Sequence, residues 1–246
     1  MSFIITLYVR EGIVLASDSR TSLQAQQINQ HGEPTVNFTV GLSDSNYKTF
    51  LAYNRIGIST FGQADINDIP ITGFIESFIS KEVNQDSITP DELALKILEH
   101  FRQYEPVPDT GFHVAGYTEE NGILNQRIYK VEIALNKITL INNSIPPNID
   151  IQGAGWDGET EVLTRLLKPT FLFDSDSKQF HKLPDVQIPW NFFNLQDAID
   201  FAVFAIKTTI DSFKFQTRPK TVGGPIDVLV IKPNRAFWVS KKELRM

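Results

Sequence analysis

The order of strand-like and helix-like segments limits the fold of this chain more than any other feature of the sequence. Two apolar, β-branched runs over 2–9 and 13–17 are separated by an Arg-Glu-Gly turn and predict a strand–turn–strand unit. A polar stretch over 21–46 follows, which we interpret as a long loop or an irregular hairpin. Strand-like runs then return at 47–53 and 55–61, so four strands precede any helix-like segment.

The rest of the chain continues in blocks. We expect helices over 64–82 and 90–104, strands over 112–117, 126–134 and 137–142, helices over 158–168 and 195–213, and strands over 226–232 and 236–240. Because strands and helices do not alternate, this order disfavours a doubly wound parallel sheet and favours an α+β fold, with helices on the outer faces of antiparallel sheets. We expect one domain over 1–246, with 170–194 as a surface excursion.

Composition excludes several classes of function. The 246 residues are 41% hydrophobic and 21% charged, as in an ordinary globular protein, and carry a net charge of −6, which disfavours non-specific binding to nucleic acid. The chain has no cysteine, so disulfides, thiolate catalysis and cysteine metal sites are absent. No apolar stretch approaches the roughly 18 residues of a membrane span, and no basic segment precedes the apolar start. We therefore expect a soluble, cytoplasmic protein.

The N-terminal block carries the most specific signal. Residues 2–20 read SFIITLYVREGIVLASDSR, and Gly12–Arg20 (GIVLASDSR) follow without a gap from a serine at position 2. This block resembles the opening of proteasome-type N-terminal-nucleophile hydrolases, which begin with Thr or Ser and continue as G-V-V-L-A-x-D-x-R. The resemblance implies that Ser2 is the nucleophile and that Asp18 belongs to the site.

Later segments extend this resemblance over the whole chain. Tyr47–Leu51 is similar to the K-x-x-x-L segment of the family and places its lysine at Lys48, while Ile56–Gly62 is similar to the strand that ends in a functional glycine. Thr221–Asp227 (TVGGPID) resembles the V-G-x-P-I-D segment of the Anbu-like branch. The family implies a four-layer αββα sandwich of two antiparallel sheets, no cofactor, and self-association into a ring or a related stack.

The chemistry of these residues explains why the position of the serine matters. A serine hydroxyl needs a base, and a free α-amine with a pKa of about 7.7–8.0 can serve as that base once Met1 is removed. The resemblance assigns Lys48 as the positive charge beside Ser2, Asp18 as the group that holds the ammonium, and the Gly62 N–H as an oxyanion donor. Since the chain starts Met-Ser, we expect activation to need only methionine aminopeptidase.

Supporting positions follow the family less closely. We expect Arg20, Gly153 and Gly155 to support the site, with the two glycines in a turn that passes close to the N-terminal residue. Ala154 stands where proteasome subunits have a serine between two glycines. The family's Asp-x-x-Ser-Gly segment is also replaced, and the positions of its acid and hydroxyl fall at Pro219 and Val222.

Other motifs are set aside. Gly153–Gly158 satisfies G-x-G-x-x-G with Asp174 downstream, but no strand–helix alternation surrounds it, so nucleotide binding is disfavoured. No metal site is expected, because no two of the histidines have ligand spacing, and no G-x-S-x-G elbow is present for a serine triad. The histidines are His31, His100, His113 and His181.

The sequence therefore predicts an amide hydrolase, most simply a peptidase, that acts through Ser2 within a homo-oligomer. Two alternatives remain open. A catalytically inactive scaffold or ring component is favoured by Ala154, Pro219 and Val222 and requires Met1 to stay in place. A hydrolase of small non-peptide amides requires a closed pocket and no ring.

Overall fold

A computed structural model describes residues 2–28, 34–83, 88–143, 152–184 and 187–243. Met1 and His31 lie outside the described residues. The strands within these ranges are, in chain order, β1 (Phe3–Val9), β2 (Gly12–Ser17), β3 (Thr21–Ile28), β4 (Pro34–Ser43), β5 (Thr49–Tyr53), β6 (Ile56–Gly62), β7 (Asp65–Ile66), β8 (Ile69–Pro70), β9 (Thr110–Glu120), β10 (Ile123–Glu132), β11 (Lys137–Leu140), β12 (Gly153–Gly158), β13 (Phe171–Asp174), β14 (Gln179–Lys182), β15 (Asp227–Lys232) and β16 (Arg235–Ser240). The α-helices in the same ranges are α1 (Ile71–Glu82), α2 (Pro90–Phe101), α3 (Glu161–Leu167) and α4 (Leu195–Lys214).

Two five-stranded antiparallel sheets form the body of the described structure. The first has the strand order β12-β1-β2-β15-β16, and the second has the order β11-β10-β9-β6-β5. Every residue of β1 and β2 is buried, because both strands are central and both of their faces are covered. This burial explains why their sequences are continuous apolar runs instead of alternating apolar and polar residues.

Three apolar clusters show how the elements pack. One cluster joins the second sheet to α1 and α2 and includes Ile75 and Phe101. Another joins the first sheet to α3 and α4 and includes Leu163 and Ile206. A third contains residues of both sheets, such as Leu15 from β2 with Ala115 from β9. Each sheet therefore contacts helices through one set of side chains and the other sheet through another set.

Helix starts follow the sequence signals. Thr89 forms a capping box with Glu92 at the start of α2, and Asn194 forms one with Asp197 at the start of α4. The apolar positions of α4 that predicted a helix are mostly on its buried face, as in Ile206. None of the helices in the described ranges is both long and apolar enough to cross a membrane.

The prediction of antiparallel sheets with block-wise helices is confirmed, and most differences concern boundaries. The helix expected over 64–82 begins at Ile71, because Asn67 and Asp68 adopt positive φ values of 51° and 63° and form the β7–β8 hairpin first. The helix expected from residue 158 begins at Glu161, because Gly153–Gly158 is strand. The excursion over 170–194 contains the β13–β14 hairpin.

Candidate active site

Ser2 stands directly before β1 and is held through the peptide group that joins it to Phe3. Its carbonyl accepts a hydrogen bond from the Glu159 N–H at 2.8 Å, and the following N–H, of Phe3, donates to Asp18 Oδ1 at 3.0 Å. Gly158 allows this approach, since a Cβ there would lie 1.8 Å from the Ser2 carbonyl oxygen. Ser2 is 5% exposed. The serine is therefore fixed between the end of β12 and the acid that follows β2.

Asp18 is fully buried and takes hydrogen bonds on both carboxylate oxygens. Oδ1 accepts from Phe3 N–H and from Lys48 Nζ, the latter at 2.7 Å. Oδ2 accepts from the N–H groups of Arg20 at 3.1 Å and Gly223 at 3.0 Å. A buried carboxylate is tolerated only with such partners, and here most of them are main-chain groups that cannot rotate away.

Lys48 lies immediately before β5 and is 4% exposed. Its ammonium donates to Asp18 and to the Arg20 carbonyl at 2.5 Å. Burial lowers the pKa of Lys48, the Asp18 carboxylate opposes that change, and the positive charge of Lys242 lowers the pKa further. The net shift of the pKa is downward, so Lys48 loses its proton more readily than an ordinary lysine.

Ser2, Lys48 and Gly62 line one small cavity. Its volume is about 10 Å³, which is about the space that one water molecule needs. The structure thus brings together the serine, the lysine and the glycine that the sequence assigned to one site. Asp18 stands behind them and bonds to the lysine.

Gly62 ends β6 with a φ of +88°, in the region that favours glycine. A Cβ at this position would lie 2.6 Å from the Asp109 carbonyl oxygen, which accepts a hydrogen bond from Gln63 N–H at 2.8 Å. The backbone therefore turns at the cavity wall in a way that a side chain would strain.

Arg20 lies outside the lining of the small cavity. Its guanidinium forms two hydrogen bonds with Asp44, at 2.6 and 2.7 Å, and this contact raises the pKa of Arg20 and lowers that of Asp44. A Cβ on Gly223 would lie 2.5 Å from the guanidinium carbon. Arg20 is thus packed on the glycine whose N–H binds Asp18.

Gly153 and Gly155 do not lie in a turn beside Ser2, which corrects the expectation from the sequence. Both are inside β12, paired with Tyr8 and Thr6, and the residue opposite Phe3 is Gly158. Glycine density suggested a turn, but these glycines permit close packing in a strand, as at Gly153, where a Cβ would lie 3.0 Å from the Tyr8 hydroxyl. Ala154 pairs with Leu7 along the same strand, away from Ser2.

Sequence reasoning missed the acid that follows Gly158. Glu159 is buried, and its carboxylate accepts from Thr221 Oγ1 at 2.9 Å and from Arg218 Nη2 at 2.9 Å. Thr221 lies between the two departing positions, Pro219 and Val222, and Val222 is buried in the apolar cluster beneath α4. A hydroxyl and an acid are therefore present near this segment, at positions that the family spacing did not indicate.

Gly62 also borders a second polar cluster, which contains His113, Asp157 and Lys130 and is distinct from the group of Ser2 and Lys48. His113 is fully buried between Thr6 Oγ1 and Asp157 Oδ2, each at 2.9 Å from a ring nitrogen. Lys130 Nζ donates to Asp157 at 2.6 Å and contacts Glu132 at 3.2 Å. Burial raises the pKa of Asp157, but the hydrogen bonds from His113 and Lys130 outweigh it and the net change is downward.

This cluster borders a larger cavity of about 360 Å³. Phe61 and Gly62 line both the larger cavity and the small one beside Ser2, and Gly158, whose neighbour binds the Ser2 carbonyl, lines the larger one. The two cavities therefore share the end of β6 as part of their walls. The structure offers space next to the serine that the small cavity lacks.

The two other histidines of the described residues, His100 and His181, have ordinary structural partners. The His100 ring stacks with Phe78 at 5.0 Å between centroids, and burial lowers its pKa. His181 stands on the exposed β13–β14 hairpin, 3.8 Å from Asp174, the acid of the G-x-G-x-x-G interpretation. Because that motif forms an antiparallel strand, it has no βαβ context for a dinucleotide.

Comparison with known proteins supports the fold. No protein-family model and no curated protein matches the sequence. Among solved structures, the chain is similar to the Anbu (Gly-1) mutant from Hyphomicrobium sp. strain MC1, with a TM-score of 0.62 and 14% sequence identity. The match covers 98% of this chain and 86% of that chain. The resemblance to the Anbu-like, proteasome-type proteins is therefore confirmed at the level of the fold.

Proposed function

We propose that this chain is an N-terminal-nucleophile amide hydrolase in which Ser2 attacks the substrate after Met1 has been removed. One observation carries the proposal: Ser2, Lys48 and Gly62 line the same small cavity, while the buried Asp18 binds both Lys48 and the peptide N–H that follows Ser2. An isolated lysine–carboxylate pair has many structural roles. Here the pair fixes the peptide group that follows a buried serine, and that serine borders a space the size of one water molecule. This arrangement is suited to catalysis.

In this proposal the α-amine of Ser2 takes the proton from the Ser2 hydroxyl, directly or through one water, as Oγ forms a bond to the amide carbon. The carbonyl oxygen becomes an oxyanion that the Gly62 N–H stabilises. Collapse breaks the C–N bond, the leaving amine takes the proton, and water then hydrolyses the Ser2 ester. A neighbouring Lys48 ammonium keeps the α-amine unprotonated, and Asp18 balances its charge.

The larger cavity is where we propose that the substrate lies. A cavity of about 360 Å³ accommodates a side chain or a small amide, whereas the cavity of about 10 Å³ at Ser2 accommodates only a reacting atom or a water. Both are lined by Gly62, so a substrate in the larger space places its carbonyl near the proposed oxyanion donor.

We further infer a four-layer αββα sandwich, a single domain and self-association. The three apolar clusters support the layers. The β13–β14 hairpin supports an interface, because Phe171, Leu172, Phe173 and Phe180 are all more than half exposed, and such apolar patches mark contact surfaces. Sedimentation of the native protein against Phe173→Ser/Phe180→Ser tests this inference: we expect the variant to dissociate, and an unchanged oligomer would remove the hairpin from the interface.

The inactive-scaffold alternative has an observation of its own. Val222 is buried in an apolar cluster where the family pattern has a serine, so that hydroxyl is missing. The Thr221 hydroxyl bonds to Glu159, not to a group of the small cavity. A scaffold would retain Met1, and its Ser2 would not react.

The test combines intact mass with a reagent that needs both a hydroxyl and a free amine. The protein is purified from its native cells, weighed, treated with a peptide epoxyketone and weighed again. We expect a mass lacking one methionine and a single adduct that Ser2→Ala abolishes. Ser177→Ala, on the exposed hairpin where Ser177 Oγ donates a hydrogen bond to Asp174, is the matched control and should label like the native protein.

A mass that retains Met1, with no adduct, contradicts the proposal and leaves the scaffold interpretation. A native adduct that persists in Ser2→Ala contradicts the assignment of the nucleophile. Adduct formation in a protein that sediments as a monomer favours hydrolysis of small amides over a ring peptidase.

A further inference from the structure

The segment after β16 returns to the residue that precedes Lys48. Tyr47 Oη donates to the Lys242 carbonyl at 3.1 Å, and Lys242 Nζ lies 4.4 Å from the centroid of the Tyr47 ring. Lys241 Nζ lies 5.3 Å from the same ring. Because Tyr47 lines the small cavity with Ser2, these contacts connect the end of the described chain to the wall of the candidate site.

Lys242 is anchored by Asp227, the first residue of β15. Its ammonium forms an ion pair with Asp227 Oδ2, and its N–H donates to Oδ1 at 2.8 Å. Both side chains are almost completely buried. Asp227 pairs across the sheet with Ser17, the residue before Asp18. The acids of the two buried pairs, Asp18–Lys48 and Asp227–Lys242, therefore lie at adjacent ends of the neighbouring strands β2 and β15.

The charges of the two pairs act on each other. Burial lowers the pKa of Lys48, and among the charged groups of the described chain that act on it, Asp18 and Asp44 raise that pKa while Lys242 lowers it. Burial also lowers the pKa of Lys242, and Asp227 and Asp18 oppose that change. A buried ion pair is by itself weak evidence for stability. The position of the Asp227–Lys242 pair beside the candidate site is therefore the more informative observation.

We propose that Asp227 and Lys242 are positioning residues, which fix Tyr47 at the cavity wall and place a second positive charge beside Lys48. The inference rests on the proposed function for its catalytic meaning, while its structural part is tested without turnover. Lys242 makes no contact with Ser2 among its described partners and acts through Tyr47 and Lys48.

The experiment follows the titration of the Lys48 amine by NMR in the full chain, with the resonance assigned through Lys48→Arg. In Lys242→Met we expect the pKa of Lys48 to rise, because a positive neighbour that disfavours the ammonium is gone. Lys242→Arg keeps the charge and should return the pKa toward the native value. Lys241→Met is the matched control, since Lys241 is not among the charges that shift Lys48.

If Lys242→Met fails to fold, Asp227→Asn/Lys242→Met removes both buried charges and leaves no orphaned carboxylate. The pKa of Lys48 should still rise in that variant. An unchanged Lys48 pKa in the folded variant overturns the inference. If the pKa shifts as expected but native Ser2 forms no epoxyketone adduct, the positioning role stands and the proposed hydrolase fails.

Discussion

Two lysine–carboxylate clusters lie on either side of Gly62, and they differ in how the carboxylate is held. Asp18 accepts hydrogen bonds from the main-chain N–H groups of Phe3, Arg20 and Gly223 and from the ammonium of Lys48. In the other cluster, Asp157 forms its hydrogen bonds with side chains, namely the imidazole of His113 and the ammonium of Lys130. The first arrangement is fixed by the backbone, and the second depends on side-chain conformation.

The two lysines consequently have opposite pKa shifts. Burial lowers the pKa of Lys48 despite Asp18, whereas the pKa of Lys130 is raised: burial lowers it, but the hydrogen bonds and charges of Asp157 and Glu132 outweigh that effect. Lys130 is one-quarter exposed and pairs with two acids, while Lys48 is enclosed with one. The same residue types thus give a lysine with a lowered pKa in one place and a lysine with a raised pKa in the other.

The largest expected contrast is kinetic. Lys48→Met should lower the limiting rate of Ser2 acylation by about 10²–10⁴-fold, the usual contribution of groups that control proton transfer. Lys130→Met should change the limiting rate little and instead raise the KM by about tenfold or less, equivalent to about 1.4 kcal/mol, because Lys130 borders only the larger cavity. Stopped-flow kinetics with an activated amide measures both constants. Equal effects on the limiting rate would remove the distinction between the clusters.

The same variants should also differ in stability. Lys48→Met leaves Asp18 buried without its cation and should lower the free energy of unfolding by about 3–5 kcal/mol. Lys130→Met should cost about 1 kcal/mol, since Asp157 keeps His113 and is partly hydrated. Denaturant unfolding gives both values. A cost at Lys130 as large as that at Lys48 would show that exposure does not separate the two pairs.

Gly62, at the border between the clusters, gives a smaller effect. Gly62→Ala should destabilise the protein by about 1–3 kcal/mol, because its φ is +88° and a Cβ would meet the Asp109 carbonyl at 2.6 Å. Gly73→Ala is the matched control. It lies in α1 with nothing within 4 Å of the added Cβ and should stabilise by about 1 kcal/mol. Thermal unfolding of both variants distinguishes strain at Gly62 from a general effect of alanine.

The smallest contrast is in the pH dependence of stability. Since the folded pKa of Lys48 is lowered, the unfolded state binds more protons between that value and about 10.4, so the stability contributed by Lys48 rises with pH in this window. The folded pKa of Lys130 is raised, so its contribution is complete below about 10.4 and is lost as pH rises through the folded value. Unfolding free energies of each methionine variant, subtracted from the native values at alkaline pH, should change in opposite directions. Changes in the same direction would contradict the assigned shifts.

Much of the fold was predictable because local patterns agree with tertiary packing. The runs at 2–9 and 13–17 are apolar throughout and become the fully buried β1 and β2. Between the strands expected over 126–134 and 137–142 the chain turns at Asn136, which has a φ of 52°. The prediction was wrong where glycine is compatible with either a turn or a strand. The glycines of 153–158 suggested a turn, yet they form a strand that packs closely against Tyr8 and Ile141.

The candidate site also contains residues that the sequence indicated and residues that only the structure revealed. Ser2, Lys48 and Gly62 were assigned from a sequence resemblance and line one cavity in the structure, although their roles in catalysis stay predictions. Glu159, Tyr47 and Lys242 were not singled out as functional residues, because their partners are far away along the chain and no periodicity connects them.

By itself, the sequence indicated the four helices and the strands of the two sheets other than β12, favoured antiparallel sheets, and named the candidates for the nucleophile and its lysine. These properties follow from side-chain polarity and spacing along the chain. Only the tertiary structure decided which lysine has a lowered pKa and which a raised one, because that depends on how completely water is excluded and on how many charges meet there. Such quantities belong to residues brought together by folding, as Lys48 and Lys242 are, and not to any stretch of sequence.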